Sequence, residues 1–367
     1  MRANSPAASR RVLVTGGAGY LGSVLVAQLL ARGFRVRVLD CLLFGDQSLE
    51  TVRSHPNCEV IRGDVRDIES VVRAMTGCDT AIHLAGIVGD QACDANRPLA
   101  IEVNDAATRM LADVAPRCGI RRFLFASSCS VYGSNRAVVT ESSRLCPLSL
   151  YAQTKVDSEK ILLAARTRRF SPIILRLGTL FGISPRMRFD LVVNLLTERA
   201  ISTGRITIRN GWQWRPFVHV RDAAAAFVAC IEAPAKRVSG EVFNVGSRFL
   251  NAQIRRLGEI VERAVPGTAI TELYDRIDRR TYRASFDKIE RALGFACGET
   301  LEAGVREVSA ALTSCSTRGI EVNVSIKGTA GGLLSHAAAN RLSSAEGLSL
   351  SAKFNRKPAA STSLTGD

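Results

Sequence analysis

The chain has 367 residues and a mass of 39.6 kDa; 46% of the residues are apolar and 23% are charged. This balance excludes a disordered chain, a collagen-like chain and a bare coiled coil, and the length suits one or two packed units. The formal charge of +15 raises the question of nucleic acid, but basic residues are dispersed among acidic ones and no zinc-finger, RNP-like or basic-zipper motif occurs. We therefore expect no nucleic-acid partner.

The cysteine pattern and the hydropathy indicate where in the cell the protein is expected. The sequence contains no run of about 18 uninterrupted apolar residues, so no transmembrane helix or membrane partner is expected. The opening MRANSPAASRR has arginines but no apolar core, which argues against a secretory signal. The ten cysteines are scattered, without a CxxC pair or zinc-ligand spacing, so we expect free thiols, no metal site and a cytoplasmic protein.

Residues 1–10 are predicted to form a flexible leader. From 11 to 177, short apolar runs alternate with amphipathic stretches such as 21–31, which is followed by Gly33, a residue typical of a helix end. Apolar strands separated by helices predict an α/β fold, a doubly wound parallel sheet covered on both faces. The predicted strands are 12–14, 36–39, 60–61, 81–84, 123–125 and 173–175.

The pattern changes after residue 177. Residues 178–313 are predicted to form a smaller α/β substrate-binding unit, with some elements crossing back to the first sheet. Its predicted helices lie near 189–199, 222–232, 253–265 and 301–312, and its strands at 206–208, 217–220 and 242–245. Residues 314–367 shift to Ser, Ala and Gly without a capped helical pattern, which predicts a disordered tail.

A glycine-rich turn joins the first predicted strand to the first helix, reading TGGAGYLG from Thr15 to Gly22. Glycines there allow a tight turn, close approach of the backbone to a pyrophosphate, and close helix–strand packing. The helix start adds free N–H groups and the positive end of the helix dipole. The turn predicts a dinucleotide site in a Rossmann-type fold; the alternative is a turn without a ligand.

Two acidic residues follow later strands. Asp40 ends the second strand, where a carboxylate accepts hydrogen bonds from the adenosine ribose and repels a 2′-phosphate, which favours NAD over NADP. Asp64 follows the third strand and could meet the adenine amino group; its alternative role is a helix cap or turn residue.

Tyr151 and Lys155 are spaced to share one helix face. A free phenol has a pKa of about 10, and a nearby ammonium lowers it towards the range of a useful base. Upstream, Ser128 lies at the carboxyl end of a predicted strand, where ligands of such sheets bind. Ser128 could bridge a substrate hydroxyl and Tyr151, or could be a turn residue. Cys129 is expected to be a buried bystander.

The chain resembles the extended short-chain dehydrogenase/reductase family, in its NAD-dependent nucleotide-sugar epimerase/dehydratase branch. The resemblance spans roughly residues 11–313. The matching segments are TGGAGYLG at 15–22, Asp40, GDV at 63–65, HLAG at 83–86, SSCSVYG at 127–133, YAQTK at 151–155, RPFVHVRD at 215–222, FNVG at 243–246 and RRTYRASFDKIERALGF at 279–295.

The resemblance implies roles for individual residues. Tyr151 would be the acid/base, with Ser128 as its hydrogen-bonding companion and Lys155 as the third member of the catalytic set. Arg215, and with it Arg279 or Arg280, would bind the substrate diphosphate, as guanidinium groups suit phosphate oxygens; a surface or structural ion pair is the alternative for Arg215. The residues implied to hold NAD are Gly16, Gly19, Tyr20, Leu21, Gly22, Asp40, Asp64, Val65, Leu84, Ala85, Gly86, Tyr151 and Lys155.

Two departures from the family pattern bear on the reaction. Sugar-nucleotide 4,6-dehydratases have an Asp-Glu pair where this chain has Cys129 and Ser130, and the elimination of water needs an acid and a base there, so a 4,6-dehydratase is disfavoured. Thr179 stands where many epimerases have asparagine, so the sugar is not assigned. His219 is expected to be a packed strand residue.

Three functions remain open. The favoured one is a nucleotide-sugar epimerase that transiently oxidises a sugar hydroxyl. The second is a net dehydrogenase or reductase acting on a sugar nucleotide or another hydroxyl compound, and the third is a catalytically silent nucleotide-binding protein. The resemblance also suggests a homodimer built on a four-helix contact, with the helices near 96–118 and 149–168 as candidates.

Overall fold

The computed structural model of the protein describes residues 10–274 and 280–317. Its strands are β1 (Arg11–Thr15), β2 (Arg35–Asp40), β3 (Cys58–Arg62), β4 (Thr80–His83), β5 (Arg122–Ser128), β6 (Ser134–Val139), β7 (Ser171–Leu177), β8 (Thr179–Phe181), β9 (Arg205–Arg209), β10 (Trp214–His219), β11 (Val242–Val245), β12 (Asn251–Gln253), β13 (Ala269–Leu273) and β14 (Thr281–Ala284).

The helices alternate with these strands along the chain. They are α1 (Tyr20–Ala31), α2 (Glu50–Arg53), α3 (Ile68–Met75), α4 (Asp90–Ala95), α5 (Arg97–Ile101), α6 (Ala107–Arg117), α7 (Leu150–Ala164), α8 (Val192–Thr203), α9 (Val220–Glu232), α10 (Ala235–Val238), α11 (Ile254–Ala264), α12 (Asp287–Leu293) and α13 (Leu301–Thr317). In the described residues, no helix is both long enough and apolar enough to span a membrane.

A seven-stranded parallel sheet forms the centre, in the spatial order β3-β2-β1-β4-β5-β7-β11. Alternate residues of each strand face opposite cores: Val12 and Val14 pack with α1 and α9, whereas Leu13 packs with α3 and α6. Because both faces are covered, the strands are apolar over most of their length. The predicted doubly wound Rossmann-type α/β fold is confirmed, and the strand order reverses between β1 and β4, where ligands of such sheets bind.

Residues beyond 177 build a second layer and also extend the first sheet. β8, β10 and β12 form a three-stranded sheet and β9 pairs with β13, while α8, α11 and α13 pack together over them. β11 pairs in parallel with β7, and α9 packs against α1. These two elements therefore cross back to the large sheet.

Some boundaries differ from the predicted ones for identifiable reasons. The helix expected over 96–118 is divided into α5 and α6 by one π-type turn, Glu102–Ala106. β10 ends at His219 because its side chain accepts a hydrogen bond from Arg221 N and caps α9. Residues 314–317 of the predicted tail continue α13; residues 318–367, and residues 1–9 of the predicted leader, lie outside the described residues.

Candidate active site

The turn between β1 and α1 leaves no room for side chains. Gly16 has a φ of +73°, and a Cβ there would lie 2.6 Å from the backbone nitrogen of Ala85. A Cβ on Gly22 would lie 2.2 Å from the carbonyl oxygen of Gly16. Among the described residues no side chain caps the start of α1 after Gly19, so backbone N–H groups remain available there. The turn fits the pyrophosphate of a dinucleotide.

Tyr20 and Leu21 can serve such a ligand only through their backbone. Both side chains are buried. The Tyr20 hydroxyl donates to the carbonyl oxygen of Gly182 at 2.6 Å and accepts a hydrogen bond from the Asn194 amide at 3.2 Å. Burial raises the pKa of Tyr20. The hydrogen bonds of this phenol therefore connect α1 to the segment after β8 and to α8.

Asp40 lies beside the glycine turn. Its carboxylate accepts hydrogen bonds from Ala18 N at 3.0 Å and Leu42 N at 2.8 Å, and burial raises its pKa. Each carboxylate oxygen keeps further acceptor capacity for ribose hydroxyls. Arg37, in the same strand, donates to Glu59 at 2.9 Å and to the carbonyl oxygen of Ala74 at 2.9 Å, so its charge is engaged away from Asp40.

Asp64 acts locally as a turn residue and ion-pair partner. It accepts a hydrogen bond from Arg66 N at 2.9 Å, and Arg66 Nη2 lies 2.7 Å from its carboxylate. The hydrogen bonds and charge of Arg66 hold the pKa of Asp64 below its usual value against the effect of burial. Asp67, not Asp64, caps α3, and Val65 is buried.

The chain leaves β4 through Leu84, Ala85 and Gly86, directly beside the glycine turn. Leu84 N donates to the Thr15 carbonyl at 3.1 Å, and Ala85 N donates to the Thr15 hydroxyl at 3.3 Å. A Cβ on Gly86 would lie 3.0 Å from Asn104 Oδ1. These three predicted cofactor residues therefore lie at the switch point, where their backbone rather than their side chains lines the glycine turn.

Asn104 is a structural determinant of the site that the sequence analysis missed. It sits in the π-type turn, where its Oδ1 accepts a hydrogen bond from Ile87 N at 2.8 Å and its amide donates to Ile87 O at 2.9 Å. Its own carbonyl accepts a hydrogen bond from Ser158 of α7 at 2.9 Å. Asn104 thus ties the loop after β4 to α7, and no feature used in the sequence analysis predicts a π-type turn.

The structure brings Ser128, Tyr151 and Lys155 together. Ser128 ends β5, and its hydroxyl accepts a hydrogen bond from Ser130 N at 3.1 Å; the side chain lies close enough to Tyr151, in the first turn of α7, to lower the pKa of the phenol. The ammonium of Lys155, one turn later, donates to the carbonyl oxygen of Ala126 at 2.8 Å and lies 5.7 Å from the centre of the Tyr151 ring. Serine and ammonium thus approach the tyrosine from the end of β5.

The protonation of this set differs from the expectation for the chain alone. Burial raises the pKa of Tyr151, and the charge of Arg188 and the hydrogen bond with Ser128 oppose that effect. Burial lowers the pKa of Lys155 to about 8. The expected depression of the phenol pKa by Lys155 is not found: burial raises the pKa of Tyr151, and the cation that opposes this is Arg188. Desolvation disfavours the charged forms of both Tyr151 and Lys155.

Two charged residues beside Tyr151 were not predicted from the sequence. Arg188 lies in the segment between β8 and α8. Its Nε donates a hydrogen bond to Asp190 Oδ1 at 3.0 Å, and its charge acts on the phenol of Tyr151. Asp90 begins α4, and its charge raises the pKa of Tyr151. Both lie in segments whose sequence shows no catalytic motif.

The predicted diphosphate-binding arginines have local partners. Arg280 forms an ion pair with Asp90, which places it near Tyr151. Arg215 is buried and donates to the carbonyl oxygens of Trp214, at 2.9 Å, and of Arg280. Arg279 lies outside the described residues.

The residues expected to be bystanders are packed. Cys129 is buried with its thiol 3.2 Å from the carbonyl oxygen of Arg176, and burial raises its pKa. His219 is buried, and its Nε2 lies 2.6 Å from Glu307. Thr179 begins β8 and is partly exposed.

A buried polar network supports α7 from behind. Arg176 and Glu159 form an ion pair at 2.7 Å, with side chains 5% and 3% exposed. Ser127 donates to the same carboxylate, and Arg176 also donates to the Tyr132 hydroxyl at 2.9 Å. Glu159 lies one turn after Lys155, so the network fixes α7 against β5 and β7.

Comparison with known proteins decides the family. The model of the NAD dependent epimerase/dehydratase family matches residues 12–246. The chain belongs to this family. It is therefore of the extended short-chain dehydrogenase/reductase type, whose cofactor is NAD, and the glycine turn, the uncapped start of α1 and the carboxylate of Asp40 fit that cofactor.

Relatives of this chain have several activities, and the chain matches less than half the length of the first of them. A 3β-hydroxysteroid dehydrogenase/Δ5→4-isomerase of Mycobacterium tuberculosis is 36% identical over 163 residues, 42% of this chain and 42% of that protein. A dTDP-glucose 4,6-dehydratase of an Actinoplanes strain is 29% identical over 317 residues, 82% of this chain and 97% of the relative.

Among solved structures, MoeE5 in complex with UDP-glucuronic acid and NAD superimposes with a TM-score of 0.72 at 28% identity, covering 83% of this chain and 99% of MoeE5. The match extends the family's architecture beyond residue 246 into the second layer.

Proposed function

We propose that the protein is a nucleotide-sugar epimerase. The observation that most strongly supports this proposal is that Ser128, Tyr151 and Lys155 lie close together at the carboxyl edge of the sheet, beside the glycine turn. In that arrangement a phenol, a hydroxyl and an ammonium surround the place where a sugar hydroxyl would meet the cofactor. Such a set suits reversible proton transfer to and from an alcohol.

NAD, when bound, supplies the acceptor and donor of the hydride that the sugar carbon loses and regains. The backbone of the glycine turn would hold its pyrophosphate, and Asp40 its adenosine ribose. Lys155 would hold the second ribose through its ammonium. These roles follow from donor and acceptor types that match phosphate and hydroxyl groups.

Tyr151 takes the proton of the sugar hydroxyl as the carbon is oxidised and returns it as the carbon is reduced. Because burial raises the pKa of the phenol, positive charge near its oxygen is needed to stabilise the phenolate. Lys155 and Arg188 are cations of the chain that lie near it. If the keto sugar turns its other face between the two transfers, the configuration of the carbon inverts.

A 4,6-dehydratase is not our proposal, although a relative is one. Cys129, where those enzymes have an acid, is buried with a raised pKa. The hydroxyl of Ser130, at the next position, is buried and has no hydrogen-bond partner in the described chain. Neither side chain supplies the acid and base that elimination of water needs.

Net oxidation is the second candidate. The hydroxysteroid dehydrogenase of M. tuberculosis supports it, because a member of this family with 36% identity over its matched region is named for net redox chemistry. The two candidates share the proton-transfer set and differ only in whether the hydride returns to the same molecule.

A substrate panel distinguishes them. UDP-, GDP-, CDP- and dTDP-sugars are incubated with the protein and NAD, products are resolved by chromatography, and NADH is followed by absorbance. We expect an isomeric sugar nucleotide without net NADH. Stoichiometric NADH would establish the dehydrogenase, and NAD binding without any product across the panel would support a silent nucleotide-binding protein.

We further propose that Arg215 and Arg280 hold the substrate diphosphate. The ion pair of Arg280 with Asp90, whose charge acts on Tyr151, supports this, as does the hydrogen bond from Arg215 to the Arg280 carbonyl oxygen. Arg280→Gln should raise the KM for the sugar nucleotide about tenfold or more, since a charge-assisted hydrogen bond contributes about 1.5–3 kcal/mol. An unchanged KM would remove Arg280 from the substrate site.

We also propose a homodimer through α6, which lies in the first of the two helical regions expected at the contact (96–118), together with α3 in place of the second (149–168). A groove there is lined by Ile68, Met110 and Val114 together with Arg109 and Asp113, and the Ile68 side chain is 52% exposed. Met110→Lys should convert a dimer into a monomer in light scattering coupled to size exclusion. A native protein that elutes as a monomer would contradict the proposal.

A further inference from the structure

A basic cavity lies at the amino ends of β4, β5 and β7, the edge of the large sheet opposite the glycine turn. Its volume is about 770 Å³, and its walls also include the turn before β7 and part of α10. Five arginines line it: Arg10, Arg121, Arg122, Arg168 and Arg169. The position separates this cavity from the candidate active site by the length of the strands.

The guanidinium groups of the cavity are not neutralised by carboxylates. Within residues 10–274 and 280–317, none of the five forms an ion pair, and Asp79, the acidic residue of the lining, accepts a hydrogen bond from the Thr80 hydroxyl at 2.7 Å. Arg122 donates to the carbonyl oxygens of Cys230 at 2.8 Å and Ala233 at 3.0 Å, at the end of α9. These neutral acceptors leave the positive charge in place.

The rim and the floor both offer donors. Arg121, Arg168 and Arg169 are exposed, and no side-chain partner of theirs occurs in the described chain. On the floor, the hydroxyl of Ser171 is buried and likewise has no partner there. Burial lowers the pKa of Arg122, and so does repulsion by the charge of Arg10, whereas the charge of Asp79 in the same lining partly opposes both effects. A bound anion would relieve this repulsion.

We propose that this cavity is a binding site for a compact polyphosphate anion, such as a short inorganic polyphosphate or the phosphate chain of a nucleotide. Guanidinium groups match phosphate oxygens in charge and in geometry. A membrane or a nucleic-acid duplex presents a broad surface, whereas a concave site of this size encloses only a few phosphate groups. The site is independent of the proposed epimerase reaction, since it lies at the other edge of the sheet.

The test uses inorganic tripolyphosphate as the probe. Binding is measured by calorimetry on the full chain with saturating NAD, which keeps the glycine turn occupied. The cavity variant is Arg168→Gln/Arg169→Gln, on the exposed rim. The matched control is Arg205→Gln/Arg263→Gln, which removes two exposed charges from β9 and α11 and changes the net charge equally.

We expect the native protein and the control to bind tripolyphosphate with the same affinity, and the cavity variant to bind about tenfold more weakly or worse, as two charge-assisted contacts are lost. ATP and inorganic tripolyphosphate, compared on the native protein, distinguish a nucleotide from a free polyphosphate as the source of the phosphates. Equal weakening in both variants, no binding by the native protein, or binding of a 20-nucleotide DNA without binding of tripolyphosphate would overturn the proposal.

Discussion

The ion pair between Glu159 and Arg176 is the clearest case of a single contact on which the site depends. Both side chains are buried, and the pair lies one helical turn from Lys155. Removing one partner leaves the other charge buried without compensation, which costs about 3–5 kcal/mol.

Glu159→Gln should therefore lower the free energy of unfolding by about 3–5 kcal/mol in urea titrations. Glu259→Gln is the matched control, since Glu259 forms an exposed pair with Arg256, and it should change stability by less than about 1 kcal/mol. Equal effects of the two substitutions would mean that the buried network contributes no more than a surface pair.

His83 gives the protein a pH-dependent stability. It is buried at the end of β4 between the hydroxyls of Thr15, at 2.7 Å, and Thr108, at 3.1 Å, and burial lowers its pKa to about 3. The unfolded chain, with a histidine pKa of about 6.5, binds a proton below that pH that the folded chain excludes. This contribution is complete above pH 6.5 and is lost as the pH falls towards 3.

Between pH 7 and pH 5, the native protein should therefore lose about 2 kcal/mol more stability than His83→Gln. The window lies above the range in which Glu307, whose pKa is lowered to about 2 from 4.5, adds its own loss. Urea titrations at the two pH values measure the difference, and parallel losses in the two proteins would show that His83 accepts a proton in the folded state.

Local spacing predicted some site residues and missed others. Tyr151 and Lys155 lie four residues apart, so helix geometry alone places them on one face. Asp90 and Arg280 form an ion pair although they are 190 residues apart in the sequence. Arg188, whose charge acts on Tyr151, lies in a segment without regular structure. No local pattern encodes such contacts, because they depend on how distant loops fold over the sheet.

At the scale of elements, the turn between β1 and α1 has the strictest steric requirement. A Cβ on Gly22 would lie 2.2 Å from the Gly16 carbonyl, so the turn must shift to admit it. Gly22→Ala should weaken NAD binding about tenfold or more, because each backbone contact to a charged phosphate contributes about 1.5–3 kcal/mol.

Fluorescence titration of NAD measures that effect, with Gly298→Ala as control, since a Cβ on Gly298 meets nothing within 4 Å. Unchanged affinity in Gly22→Ala would show that the turn does not approach the cofactor. The same close packing requires glycine in this turn, which is why the sequence motif predicted it.

Strand prediction succeeded for the large sheet and failed for several strands outside it. Each of these strands of the large sheet contains a short apolar run, so the six runs predicted up to residue 177 match β1 to β5 and β7. β6 and β14 were missed because they are partly exposed and paired with each other across a long stretch of chain. The π-type turn at Glu102–Ala106 has no periodic signature at all.

For the whole molecule, the order of elements along the chain does not coincide with their order in space. β11 joins the first sheet beside β7, so residues on both sides of 177 complete one core. The parallel sheet and its switch point were predictable from alternation of strand and helix. The arrangement of the second layer was not, since its contacts join α8, α11 and α13 over long sequence distances.

The central claim for the whole protein is that the phenol of Tyr151 exchanges a proton with the substrate hydroxyl. Tyr151→Phe removes the acidic proton and keeps the ring, and Tyr274→Phe changes a tyrosine that is 67% exposed. The measurement is turnover of the sugar nucleotide found in the panel, together with the Kd for NAD. We predict a loss of turnover of about 10²–10⁴-fold in Tyr151→Phe with an NAD Kd within about twofold of the native value, and native turnover in Tyr274→Phe. Undiminished turnover in Tyr151→Phe would contradict the account.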